Sequence, residues 1–146
     1  MTIPTTPFTP SSRLLTPYFE ALDRHELIIT RCTSCDVAQF PPRAACSTCG
    51  AFDSFEWIES TGRGTIWTFG VFHKIYFPNF GPAPYNVAVV ELDEGTKLIT
   101  NIVDADNTEL AIGMRVRAVF VDIDGHTAAR FTPDPDPTMI TQERNY

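Results

Sequence analysis

The chain has 146 residues, of which 43% are hydrophobic, 12% aromatic and 20% charged, and its formal net charge is −7. This length suits one ordinary domain, or a small metal-stapled module beside a compact barrel. The negative charge and the scattering of the 11 Lys and Arg residues disfavour broad electrostatic binding to nucleic acid. The sequence has no apolar run near the roughly 20 residues of a membrane span. Because segment 1–10 is Thr- and Pro-rich, unlike a signal peptide, we expect a cytoplasmic protein.

The first predicted element is helical. Four apolar residues share the three- and four-residue spacings of an amphipathic helix: Leu14, Leu15, Phe19 and Leu22. Thr16 followed by Pro17 is typical of an N-cap and a first-turn residue. The pattern therefore predicts one helix, or a pair of helices that breaks at Thr16, ending near His25.

All four cysteines lie between positions 32 and 49 and form two Cys-x-x-Cys pairs separated by ten residues. Each pair can form a tight knuckle that presents two sulfurs to one point. The sequence therefore predicts a tetrahedral site made by Cys32, Cys35, Cys46 and Cys49. Since four thiolates leave no open coordination position, we expect one structural zinc ion per chain.

These cysteines have three other conceivable uses. Disulfides are disfavoured by a reducing compartment. A redox-active dithiol would need only one of the two pairs. Iron also binds four thiolates, and the spacing alone does not separate it from zinc, which is favoured as the usual structural ion.

The metal ligands predict a small ribbon over residues 27–60. A short strand over 27–31 enters the first knuckle, Phe40-Pro41-Pro42-Arg43 forms a rigid turn between the pairs, and a strand over 52–59 leaves the second. Because so small a unit has little core of its own, we expect that it cannot fold without its metal.

The second half of the chain is β-rich. Five strands are predicted, over residues 62–74, 85–92, 97–103, 115–123 and 127–131. Asp93-Glu94-Gly95 and Asp124-Gly125 mark turns, and residues 107–112 a helical turn. This layout is that of a five-stranded OB-fold barrel, with a β-sandwich as the alternative. Trp57 and Trp67 are interpreted as packing residues.

The sequence thus predicts a mainly β protein. Its four segments are an N-terminal arm with a helix or helix pair (1–26), a rubredoxin-like zinc ribbon (27–60), an OB-fold barrel (61–132) and a flexible tail (133–146).

The order and spacing of several motifs resemble those of the acyl-CoA-associated family with a rubredoxin-like zinc ribbon and an OB-fold. The resemblance covers nearly all of residues 14–133. Its main motifs are Arg31-Cys32-Thr33-Ser34-Cys35, Phe40-Pro41-Pro42-Arg43, Cys46-Ser47-Thr48-Cys49, Gly62-Arg63-Gly64-Thr65, Val89-Val90-Glu91-Leu92-Asp93-Glu94-Gly95, Leu98-Ile99-Thr100-Asn101 and Ile112-Gly113-Met114-Arg115-Val116.

This resemblance implies a standalone partner subunit, without catalytic residues of its own, in a hetero-oligomer with a thiolase-fold enzyme. Such partners include thiolases, acyltransferases and the retro-aldolases of steroid side-chain degradation. The subunit would stabilise the enzyme and help to hold the CoA thioester. The expected lack of catalytic residues agrees with the sequence, because no recognisable nucleophile motif stands beside His25, His73 or His126.

The segment between the first two barrel strands is the candidate for contact with the partner or with acyl-CoA. Its exposed rings would favour burial, either as a wall for the acyl or pantetheine chain or simply as a plug in the open end of the barrel. Two cations, Lys74 and Arg63, are candidates for CoA phosphates. The full candidate set is Phe72, His73, Lys74, Tyr76, Phe77, Phe80, Tyr85 and Arg63.

Two other functions remain open at this point. OB-folds with aromatic loops also bind single-stranded nucleic acid, although the charge of −7 disfavours it. The paired knuckles alone are also compatible with a rubredoxin-like electron carrier.

Overall fold

The structure, a computed structural model, describes residues 13–76 and 82–134. The chain divides into two units, one formed by residues 1–60 with 120–128 and the other by residues 61–119 with 129–146. The predicted flexible tail lies outside the described residues from position 135 onward, and the four predicted segment boundaries stay a prediction. In the described ranges, no helix has the length and apolarity to cross a membrane.

The N-terminal part of the first unit is a 3-10 turn, Arg13–Leu15, that runs directly into helix α1, Thr16–Asp23. The prediction that Thr16 is the N-cap is wrong. Leu15 occupies the N-cap position with helical backbone angles and no side-chain cap, because the preceding turn already holds it in the helical region rather than in the extended conformation of a capping Ser or Thr.

Helix α1 ends in a Schellman motif at His25. The His25 amide donates to the Leu22 carbonyl (2.9 Å) and the Glu26 amide to the Ala21 carbonyl (2.9 Å), while His25 has a φ of 58°, as this motif requires. The His25 ring stacks on Phe120, with centroids 5.2 Å apart and planes 5° apart. The role of His25 in the fold is therefore structural.

The ribbon of the first unit is a three-stranded antiparallel sheet with strand order β2-β1-β3. The strands are β1 Ile28–Cys32, β2 Ala38–Gln39 and β3 Phe55–Glu59. Thr30, in the central strand, pairs with Gln39 on one side and Trp57 on the other. The short strand β2 was not among the predicted elements, because two residues are too few to show a periodic pattern.

The second sheet has five strands in the order β6-β5-β4-β7-β8. They are β4 Arg63–Phe72, β5 Tyr85–Leu92, β6 Lys97–Thr100, β7 Arg115–Ile123 and β8 His126–Pro133, and a 3-10 turn, Asn107–Glu109, precedes β7. The chain just after β6 meets β8 in a parallel bridge between Ile102 and Phe131. The Val103 amide donates to the Phe131 carbonyl there (2.8 Å).

This connectivity bears out the predicted fold class. Strand β4 pairs with β5 and β7. The chain after β6 meets β8 in parallel, so the two edges of a single curled sheet come together. The arrangement is consistent with an OB-fold. It excludes the sandwich, which needs two facing sheets.

The core of this unit contains Ile66 and Val90, which are fully buried, and Phe131, which is 1% exposed. Trp67 follows Ile66 in β4, but a register shift between Ile66 and Thr68 takes it out of the ladder. Its side chain is 53% exposed, and the Lys97 ammonium lies 4.8 Å from its ring centroid. The interpretation of Trp67 as a packing residue is therefore wrong, because successive side chains of a strand point to opposite faces and Trp67 directly follows the buried Ile66.

Gly64 in β4 has no room for a side chain. A Cβ there would lie 2.5 Å from the Glu91 carbonyl oxygen and 2.8 Å from Val90 Cγ1, both on the neighbouring strand. We expect Gly64→Ala to lower the free energy of unfolding by about 2 kcal/mol through overpacking, measured by urea denaturation. Gly70→Ala, in the same strand, is the control, because the nearest atom to its Cβ is 3.7 Å away. Equal losses for both variants would contradict this.

Candidate metal centre and aromatic cluster

The two knuckles have the same backbone geometry. In the first, the Cys32 amide donates to the Val37 carbonyl (2.9 Å) and the Asp36 amide to the Cys32 carbonyl (2.9 Å). In the second, the Cys46 amide donates to the Ala51 carbonyl (2.9 Å) and the Gly50 amide to the Cys46 carbonyl (3.0 Å). Each Cys-x-x-Cys pair is thus wrapped by the same two hydrogen bonds, which turn both sulfurs of the pair toward one point.

The residue after each second cysteine takes a left-handed conformation. Asp36 has a φ of 65° and Gly50 a φ of 77°. Glycine adopts this conformation without strain, and Asp tolerates it better than most residues. The backbone of the second knuckle, with glycine at this position, is therefore less strained than that of the first.

A matched pair of substitutions tests the knuckle geometry. Gly50→Ala is expected to lower the free energy of unfolding by about 1–2 kcal/mol, which is the penalty for a left-handed L-residue, since a Cβ at Gly50 meets no atom within 4 Å. Asp36→Gly is expected to be neutral or slightly stabilising. Thermal unfolding of the metal-loaded chain measures both, and an unchanged Gly50→Ala variant would contradict the assignment.

The four cysteine sulfurs converge, with all Sγ atoms within 4.8 Å of one another. Cys32 Sγ lies 3.7 Å from Cys49 Sγ, and Cys35 Sγ lies 3.7 Å from Cys46 Sγ. A sulfur tetrahedron with metal–sulfur bonds of about 2.3 Å has edges of about 3.8 Å, so the donor set fits a four-coordinate metal ion. A disulfide would need sulfurs about 2.05 Å apart, and all four cysteines are free. The predicted convergence of the four residues is thus present.

The Cys46 sulfur accepts hydrogen bonds from three N–H donors. Its Sγ accepts from the amides of Cys49 (3.5 Å) and Thr48 (3.4 Å) and from Gln39 Nε2 (3.0 Å). The Cys49 and Thr48 amides lower the pKa of the Cys46 thiol to about 6. At Cys35 a hydrogen bond from the Val37 amide lowers the pKa, but desolvation and the three neighbouring thiols outweigh it and raise the pKa to about 12. Cys46 therefore loses its proton more readily than Cys35 does.

The chemistry of this centre is limited by its ligands. Four thiolates complete the shell of a tetrahedral ion and leave no position for water or substrate. Cys32 and Cys46 are buried, whereas Cys49 is exposed. Such a centre can hold the ribbon together, but it does not provide an activated water molecule.

Part of the predicted contact set forms an aromatic cluster at the end of β4 and the start of β5. The rings of Phe72 and Tyr85 are stacked, with centroids 5.4 Å apart and planes 14° apart, and Tyr76 meets Phe72 edge-on at 6.2 Å. The Lys74 ammonium lies 5.7 Å from the Tyr76 centroid. Tyr85 is buried, whereas Tyr76 is 60% exposed. The cluster therefore has a buried inner ring, Tyr85, and an exposed outer ring, Tyr76.

The remaining predicted contact residues are distributed as follows. His73 is exposed beside the cluster, and Phe77 and Phe80 lie outside the described residues. Arg63 begins β4, a ten-residue strand that ends at Phe72, which separates the two by about 30 Å. Its Nε lies 3.9 Å from an Asp134 carboxylate oxygen. The structure thus does not bring Arg63 together with the cluster.

Two polar residues that matter here were missed from the sequence. Gln39 donates to Cys46, as described above, and Asn86 is buried in the second unit with hydrogen bonds to both backbone groups of Ile102. Gln39 lies seven residues from Cys46, and Asn86 lies sixteen residues from Ile102. No short sequence motif therefore reveals either contact. Among the described residues of that unit, four exposed apolar side chains were also not singled out as surface candidates: Trp67, Ile75, Ile99 and Ile112.

Two family models match the chain in succession. Residues 19–56 match the model described as the rubredoxin-like zinc ribbon domain of ChsH2, and residues 57–121 match its C-terminal OB-fold domain. A DUF35 domain-containing scaffold protein of Methanocaldococcus jannaschii is 38% identical over 119 residues, which cover 82% of this chain and 79% of that protein.

A longer relative and a solved structure are also similar. A probable enoyl-CoA hydratase alpha subunit of Thermomonospora curvata is 38% identical over 107 residues, 73% of this chain, but the chain spans only 33% of that protein's length. A chain of the solved structure called Ltp2-ChsH2(DUF35) aldolase superposes with a TM-score of 0.76 at 36% identity, covering 86% of this chain and 98% of that one.

Proposed function

Because the chain belongs to the DUF35 family, with a ChsH2-type zinc ribbon followed by an OB-fold, we propose that it is a non-catalytic subunit of a thiolase-fold acyl-CoA enzyme. It assembles with that enzyme as a hetero-oligomer, stabilises it and helps to hold the CoA thioester. The observation that carries this proposal is the similarity to nearly the whole of one chain of the Ltp2-ChsH2(DUF35) aldolase. Among thiolase, acyltransferase and aldolase partners, the same observation favours an aldolase.

The metal in this proposal is one structural zinc ion per chain. The convergence of the four sulfurs within 4.8 Å, with two pairs 3.7 Å apart, and the match to a zinc ribbon domain support it. Zinc bound by four thiolates contributes folding free energy to small modules. Cys32, Cys35, Cys46 and Cys49 hold the ion, and its function is to maintain the ribbon.

The absence of catalysis by this chain is also a proposal. The cysteines share one centre, His25 is stacked on Phe120, and Asp106 caps the turn that follows it, since its carboxylate accepts from the Thr108 amide (2.9 Å). These side chains are engaged in holding the fold. The chemistry is therefore assigned to the partner enzyme.

The aromatic cluster is proposed as the contact with the partner or with the acyl-CoA chain. Tyr76 and Ile75 are 60% and 52% exposed, and tyrosine is enriched among the residues that anchor interfaces. Phe72 and Tyr85 form the packed base behind them. Lys74, His73, Phe77 and Phe80 remain candidate contacts within this proposal, and Arg63, at the opposite end of β4, remains a candidate for a separate contact.

A pair of aromatic substitutions tests this contact. Tyr76→Ser is expected to weaken assembly or acyl-CoA binding about tenfold, because an aromatic anchor is lost from the contact. Trp67→Ser is the matched control, because Trp67 is 53% exposed in the same unit and lies outside the cluster. Titration calorimetry with the partner and with an acyl-CoA measures both variants. An equal effect of both variants, or no effect of either, would contradict the placement of the contact.

The assembly itself is tested by co-expression with a thiolase-fold protein of the same genome. We expect a stable complex in size-exclusion chromatography with light scattering, whereas two separately eluting proteins would contradict it. The same purified sample also tests the two alternative functions. Tight, salt-dependent binding of single-stranded DNA would favour a nucleic-acid-binding OB-fold, and a coloured, iron-containing chain would favour an electron carrier.

A further inference from the structure

Gln39 occupies a fixed position beside the metal centre. It ends the two-residue strand β2, where it pairs with Thr30 of β1. The Thr30 hydroxyl donates to the Gln39 carbonyl (2.5 Å), and Thr30 is 1% exposed. The backbone of Gln39 is therefore held by both the ladder and a buried side chain.

The side-chain amide of Gln39 reaches the second knuckle. Its Nε2 lies 3.0 Å from Cys46 Sγ and 3.2 Å from Ser47 Oγ. A carboxamide nitrogen carries two N–H groups, so both bonds can form at once. The bond to Cys46 is shorter than those from the Thr48 and Cys49 amides (3.4 and 3.5 Å), and it links the strand pair β1–β2 to the Cys46–Cys49 knuckle.

We propose that Gln39 is a positioning residue for the metal, which orients the Cys46 thiolate on the ion and slows the loss of the ion. A hydrogen bond to a ligating atom fixes its direction and takes up part of its charge, and removal of such partners typically weakens metal binding 10- to 100-fold. This role needs only the metal centre proposed above and does not depend on assembly with an enzyme.

The test uses the full chain loaded with zinc or with Co²⁺. Gln39→Met removes the N–H donor while keeping similar length and no charge. We expect zinc transfer to a chelator to become about tenfold faster. Because the hydrogen bond lowers the energy of the sulfur lone pair, we also expect the sulfur-to-cobalt charge-transfer band to move to longer wavelength. Ser47→Ala, which leaves the bond to Cys46 in place, is the control and should retain both the rate and the band.

The outcomes distinguish positioning from a merely structural role. Faster zinc loss with an unchanged cobalt band would indicate loosening of the fold, and would overturn the proposal, as would a wild-type rate. If Gln39→Met fails to fold, Gln39→Leu, which is also uncharged and lacks the donor, is measured in the same two assays. A wild-type chain that takes up neither metal would instead contradict the metal centre itself, before any variant is compared.

Discussion

Cys46→Ser is expected to release the metal and unfold the zinc ribbon. Cys46 contributes one of four sulfurs that lie within 4.8 Å of one another, and it accepts three N–H donors that would lose a charged partner. Metal binding contributes on the order of 10 kcal/mol to small zinc modules, which is comparable to the whole stability of a typical domain, about 5–15 kcal/mol.

Metal content and circular dichroism measure this result. Cys46→Ser should retain less than one zinc ion per chain and lose the strand signal of the ribbon, and a chelator should produce the same change in the wild-type chain. Ser47→Ala, at the adjacent exposed position, is the control and should bind zinc normally. A Cys46→Ser chain that keeps its zinc and melts at the wild-type temperature would contradict the assignment.

Asn86→Ala is expected to lower the free energy of unfolding by about 3 kcal/mol or more. The side chain of Asn86 is 6% exposed. Its Nδ2 donates to the Ile102 carbonyl (2.8 Å), and its Oδ1 accepts from the Ile102 amide (2.6 Å). Alanine would leave both buried backbone groups without this partner, and each unsatisfied group costs about 1–3 kcal/mol. Ile102 also forms the parallel bridge to Phe131, so the loss occurs where the edges of the sheet meet.

Asn107→Ala is the control for this prediction. The Asn107 side chain accepts from Asn86 Nδ2 (2.9 Å) and is only partly buried, so its loss should reduce the free energy of unfolding by about 1 kcal/mol. Urea denaturation of both variants provides the comparison. Equal losses, or a loss below 1 kcal/mol for Asn86→Ala, would contradict the role assigned to Asn86 in closing the sheet.

Features encoded by local pattern were predictable from the sequence. The strands β5 and β7 have the predicted bounds, Tyr85–Leu92 and Arg115–Ile123, because each is a continuous apolar or alternating run between turn residues. The four cysteines were also predictable as one cluster, since paired Cys-x-x-Cys spacing leaves few other geometries.

Features that depend on distant partners were not predictable in this way. Asn86 looks like an ordinary polar residue of a strand until its bonds to Ile102 are seen. Trp67 looks like a core residue, but it follows the buried Ile66 in β4 and is itself 53% exposed. The Thr16-Pro17 pair resembles a helix start, but the preceding 3-10 turn moves the N-cap to Leu15. In each case tertiary or neighbouring structure overrides a local preference.

The most direct test of the central claim is the activity of the thiolase-fold partner with and without this chain. The partner is purified alone and together with the zinc-loaded chain, and its turnover of an acyl-CoA substrate and its thermal stability are compared. We expect the partner alone to be less stable and to have little activity, and the addition of this chain, but not of the Cys46→Ser variant, to restore both. Equal activity and stability of the partner without this chain would contradict the proposed function.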